Sequence, residues 1–181
     1  LARTLRPHLE HPLGRLLFGD SPAPGRGRGY RCFHAPGLRL PERPGAGPRD
    51  DRSVLPEELL GQALLHGIAA LARDMVLADP ATFGAVLVDE AWALTSTALG
   101  RAMLLDTIRD GRKHNAAAWV VSQHPDDLGD DVLTHLLGAR VAFAQSGGAA
   151  PAAARLLGLA PTPAVTSLLT GLPVGTAGRG D

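Results

Sequence analysis

Apolar residues change their spacing along this chain, and each spacing predicts a different element. Leu60, Leu64, Ile68, Leu71 and Met75 fall at steps of four, four, three and four, which lines one face of a long helix. Ser53 and Pro56 supply its start, and Glu57 and Glu58 suit the exposed amides of its first turn. Asp79-Pro80 sets its end near Ala78. The next run, Gly84-Ala-Val-Leu-Val88, has no polar alternation, as expected of a strand buried on both faces. A second helix is predicted over 97–110, with Leu99, Met103, Leu104 and Ile108 on a broad apolar face and Gly111 ending it. Residues 116–122 and 140–144 read as two further buried strands, with short helices at 132–137, 152–157 and 163–169. Short apolar strands alternating with helices predict an α/β fold, a three-layer core whose mainly parallel sheet holds 85–88, 116–121 and 141–144. Ligands of such sheets bind at the carboxyl ends of the strands, here after Val88, Val121 and Ala144.

The first third of the chain differs. Residues 19–53 hold thirteen glycines and prolines and seven arginines, which reads as loops flanking one short strand at 30–34. Before them, 2–10 reads as helical and Pro12 opens a second short helix to residue 18. The expected organisation is one partial domain over 1–181: a loop-rich segment at 1–55, an α/β core at 56–172, and a tail at 173–181.

Charge and composition exclude several classes. Lysine plus arginine and aspartate plus glutamate number 18 each, so whole-chain charge does not argue for nucleic-acid binding. Of the 18 basic residues only Lys113 is lysine, a bias that GC-rich coding explains without reference to function. The longest apolar run, Ala116 to Val121, is six residues, far short of a bilayer span. The single cysteine, Cys32, excludes an internal disulfide and fits a reducing compartment, so a cytoplasmic protein is expected. A chain opening on Leu1 rather than methionine is expected to be a piece of a longer protein.

The candidate chemistry sits at the predicted strand ends. Asp89 and Glu90 follow the first buried strand, which is the Walker B pattern. There the aspartate holds a nucleotide-bound Mg2+ through a water, and the glutamate polarises an attacking water. Gln123, 34 residues after Asp89 and at the tip of the next strand, is placed to touch a γ-phosphate or that water through its amide. Arg112, in Arg109-Asp-Gly-Arg-Lys-His-Asn115, is a candidate for reaching a neighbouring subunit's phosphates. Each has a plainer reading: a solvated acidic pair, a loop glutamine, and a solvated helix end.

Val88-Asp-Glu-Ala-Trp92, Arg112-Lys113 and Ser122-Gln123 together resemble the VirB-type ATPases of type IV secretion and conjugal transfer, over about residues 56–172. More distantly they resemble the HerA and FtsK translocases. The resemblance implies a RecA-like P-loop NTPase motor, commonly hexameric, hydrolysing ATP with Mg2+ at subunit boundaries beside a membrane channel. It implies channel proteins as partners, DNA or protein as the transported substrate, and a place at the inner face of the cell membrane. It assigns magnesium and water to Asp89 and Glu90, and phosphate sensing to Gln123. One departure is large: GxxxxGK[ST], the phosphate-cradling loop, is missing, because Lys113 follows Arg112 and precedes His114. The chain is therefore expected to be inactive alone, with the loop lying upstream in a parent protein. The competing readings are a truncated ATPase fold kept as an assembly module and, less well matched, an ABC-type ATPase. For the latter, Leu60-Gly61-Gln62 is a poor signature box and Ala91 replaces the favoured proline.

Other features carry plainer expectations. Gly25-Arg-Gly-Arg-Gly29 lacks a strand before it and a helix after it, so it reads as a loop. Cys32 and His34 lack the further ligands a zinc site needs. His114, His124 and His135 have no metal-ligand spacing and are expected at the surface. Asp126, Asp127, Asp130 and Asp131 are expected to cap amides at turns rather than bind calcium. Trp92 is expected to pack beneath the helix after the acidic pair.

Overall fold

In the computed structural model, residues 29–35, 37–41, 55–128 and 131–173 are described. The expected helices at 2–10 and 12–18, most of the arginine-glycine run, Ser53 and the tail from 174 lie outside them.

Helix α1, Pro56–Leu77, matches the periodicity. Its N-cap is Leu55, whose N–H donates to Glu58 Oε2 at 3.1 Å, so an acidic side chain occupies a first-turn donor. Strand β1, Gly84–Val88, follows. A four-residue helix α2, Trp92–Thr95, which the spacing did not foretell, precedes α3, Ala98–Gly111. The Thr97 side chain caps α3 by accepting from Gly100 N–H at 3.0 Å. Strand β2, Ala116–Val120, runs parallel to β1 with Gly84 opposite Ala116 and Val88 opposite Val120. A 3-10 turn at Pro125–Leu128 leads to α4, Asp131–Leu136, and then α5, Ala150–Leu156, and α6, Pro163–Thr170.

β1, α2–α3 and β2 form a βαβ unit, and α1 and α3 pack on the same side of the sheet and on each other. Arg73 of α1 ties the two helices through Asp110 at 3.1 Å. The approach of α1 is close at Gly84, where a Cβ would lie 2.9 Å from Val76 Cβ. At the far end of α3, a Cβ on Gly111 would lie 2.6 Å from Ala116 O. Gly111 is thus the last, buried residue of the helix and serves helix–strand proximity, where the sequence suggested only a terminator. The main core gathers Ala91, Leu104, Leu128 and Leu133, with Val88, Leu105, Ile108, Val120 and Leu156 against it. A second cluster, Ala150, Ala153, Ala154 and Leu169, joins α5 to α6.

Four expectations are corrected. Among the described residues the sheet has two strands, so the architecture is mixed α/β with a small parallel sheet and not a complete three-layer RecA-like core. Residues 141–144 do not join the sheet. Val141 and Phe143 are exposed while Ala142 packs on the α5–α6 cluster, and Gln145 N–H donates to Leu169 O at 3.0 Å. Helices hold this segment in place of a neighbouring strand. Residues 30–34 form no strand either; among the described residues none pairs with them in a ladder, and Tyr30 is exposed. Finally, among the described residues β1 and β2 are covered on one face alone. Leu87 and Trp119, opposite one another in register, are 60% and 64% exposed, and Leu99 of α3 is exposed as well.

Candidate functional site at the carboxyl edge of the sheet

Parallel strands bring their carboxyl ends to one edge, and that edge carries the acidic pair and the glutamine. The ladder continues past β1 and β2: Val121 N–H donates to Val88 O and Ala91 N–H to Val121 O, each at 2.9 Å. These bonds fix the two strand tips side by side. Between Val88 and Ala91 the backbone kinks at Glu90, whose φ is +52°, in the left-handed region that non-glycine residues seldom occupy. Asp89 Oδ1 supports the kink by accepting Glu90 N–H at 3.0 Å.

That backbone turn directs the Glu90 side chain across the edge. Gln123 Nε2 donates to Glu90 Oε1, and the indole Nε1–H of Trp92 donates to Glu90 Oε2 at 3.0 Å. Both carboxylate oxygens are therefore engaged by neutral donors from two different strand ends. Below them, Ala91 is fully buried and anchors the turn in the core. The Ser122 hydroxyl donates to Asp127 Oδ2 and braces the tip of β2 against the 3-10 turn. Asp127 thus holds a side-chain hydroxyl, a contact the sequence did not suggest.

Asp89 is exposed, and its Oδ1 faces the Glu90 amide. An exposed carboxylate at a strand tip suits a hydrated magnesium ion, which keeps several of its waters and takes one or two carboxylates. The described residues supply no glycine-rich loop after a strand at this edge. Arg112 lies elsewhere. It follows α3 in the turn that feeds β2, and Gly84 N–H donates to Asn115 O at 3.2 Å at the amino edge of the sheet. Five strand residues at about 3.3 Å each separate the two edges by roughly 16 Å, so Arg112 does not reach Glu90 of its own chain.

The sequence did not single out Trp92 as a partner of Glu90. Its ring is half-buried at the start of α2, as a packing residue would be. The signal available was a donor two positions beyond the glutamate. Of the histidines, His124 and His135 are exposed, but His114 is half-buried with Nδ1 at 2.8 Å from Leu77 O, which ties the turn before β2 to the end of α1. Tyr30, Cys32 and His34 lie on exposed irregular chain.

The sequence model of the AAA-like domain family matches residues 1–162. The chain belongs to this AAA-like family of P-loop NTPases. No curated protein and no solved structure matches it. The acidic pair stands at the carboxyl edge of the parallel strands, the edge where open α/β sheets bind their ligands. Among the described residues no helix is long and apolar enough to cross a membrane.

Proposed function

We propose that this chain is the Walker B portion of a VirB-type motor ATPase of type IV secretion or conjugative transfer. The phosphate-binding loop would come from polypeptide outside these 181 residues. The observation that carries the reading is the hydrogen bond from Gln123 to Glu90 across adjacent strand tips. It joins two side chains that water activation beside a γ-phosphate requires together.

In this reading Asp89 would hold Mg2+ through a water, which would supply charge neutralisation at the nucleotide's phosphates. Glu90 accepts hydrogen bonding from the attacking water and polarises it. Gln123 orients the carboxylate and lies within reach of the phosphate. Arg112, on the opposite edge, acts on a neighbouring subunit of a hexamer or does not act at all. The motor would work in the cytoplasm against channel proteins at the membrane and move DNA or protein. The absence of a GK[ST] loop from the sequence favours a second reading, an assembly module that hydrolyses nothing.

Steady-state phosphate release separates the two. The full-length protein should turn over Mg-ATP and the 181-residue chain should not. Glu90→Gln should retain nucleotide and lose turnover by about a hundredfold. Arg112→Ala should fail only in the assembled oligomer. Wild-type turnover in full-length Glu90→Gln would remove the catalytic role, and an inactive full-length wild type would favour the assembly module.

A further inference from the structure

We infer that Trp92 is a positioning residue for Glu90, its indole N–H holding the carboxylate in the orientation that water activation needs. The inference rests on the reading of Glu90 as the water-polarising group. The geometry has three parts. The Trp92 Nε1–H to Glu90 Oε2 bond is 3.0 Å. Gln123 holds the other oxygen from the neighbouring strand. The backbone between them is turned by a left-handed Glu90, whose N–H is itself bonded to Asp89.

Residues two apart on a helix do not face each other, so the Glu90–Trp92 contact depends on Glu90 lying before α2 with a left-handed backbone. One donor would leave the carboxylate free to rotate about its last torsion, a broad and soft one. Two donors on opposite oxygens define its plane. A carboxylate has about four acceptor sites, so two N–H groups orient it without exhausting its capacity. The indole ring is also stiff, with two torsions, and its body is half-buried at the start of α2. A group held this way reaches the reacting water at a defined angle, which is where much of the benefit of general-base catalysis resides.

The test pairs kinetics with a direct view of the bond. In the full-length protein, Trp92→Phe keeps most of the ring and removes the donor. It should lower kcat for ATP about tenfold, as loss of a hydrogen bond to a charged group would, and leave KM within about twofold. In a Glu90→Gln background, where no carboxylate remains to orient, the same substitution should change the residual rate by less than about twofold. In the 181-residue chain, which contains two tryptophans, the Trp92 indole N–H resonance should be protected from solvent exchange, and Glu90→Ala should remove that protection. A Trp92→Phe enzyme with wild-type kcat overturns the positioning role alone. So does an equal loss in both backgrounds, or an indole resonance indifferent to Glu90→Ala. A wild-type full-length protein without turnover overturns the hydrolase reading and this role with it, even where the indole bond is seen.

Discussion

Replacing Glu90 by alanine and, separately, by glycine removes the same contacts to Trp92 and Gln123, so the difference between the two variants isolates the backbone. At most positions glycine is the less stable of the pair by about 0.5–1 kcal/mol, because it has more freedom to lose on folding. At Glu90 the φ of +52° charges any residue with a Cβ about 1–2 kcal/mol for left-handed geometry, and glycine escapes that cost. The expected order is therefore reversed, with Glu90→Gly more stable than Glu90→Ala by about 0.5–1 kcal/mol. Urea unfolding of the 181-residue chain, followed by far-UV circular dichroism, measures it as a shift of midpoint at constant slope. An alanine variant that is the more stable by about 0.5 kcal/mol refutes the claim that the strand tip is strained. The glycine variant should therefore fold better than the alanine one, and in the full-length protein it should have no hydrolytic activity because the carboxylate is gone.

Two smaller tests address the scaffold. Gly84→Ala, ordinarily favourable in a strand, should destabilise by about 1–3 kcal/mol because its Cβ would meet the backbone and side chain of Val76 within 3.1 Å; urea unfolding checks it. His66, half-buried with Nε2 at 2.9 Å from Thr97 Oγ1, has its pKa lowered by desolvation. Its unfolded form binds protons first, so its contribution is intact above the ordinary histidine range and is lost as pH falls through it. His66→Gln should flatten that part of the stability–pH curve.

The elements that were legible in the sequence are those whose pattern depends on near neighbours. The steps of three and four in α1 and the unbroken apolar run of β1 reflect local periodicity, and both elements lie where that pattern puts them. Residues 140–144 show the same kind of run, but a strand exists only with a partner, and α5 and α6 claim Ala142 instead. At the site, Asp89, Glu90 and Gln123 were legible because a parallel sheet puts every strand's last residue on one edge. The order of elements also places Arg112 before β2, at the opposite edge, although motif spacing alone hides this. Trp92 was not legible as a partner of Glu90. Its approach depends on one left-handed residue, and no spacing rule encodes a left-handed glutamate.

One-sided cover of the sheet makes neighbouring residues of β1 unequal, and this can be measured within a single strand. Val88 packs on the main core beside Ala91 and Leu104, whereas Leu87 points to the other face and is 60% exposed. Val88→Thr is nearly isosteric and places a hydroxyl against that core, at a cost of about 1–3 kcal/mol. Leu87→Thr forfeits less than half of the roughly 1.5–3 kcal/mol a fully buried leucine contributes. It also gains a β-branched residue suited to a strand, so its net effect should stay within about 0.5 kcal/mol. Chemical denaturation of the two variants of the 181-residue chain provides the comparison. Equal losses would mean that the Leu87–Trp119 face is covered as well, which is what the unbroken apolar sequence of the strand predicts. A loss confined to Val88→Thr would show that the strand is apolar on both sides and packed on one.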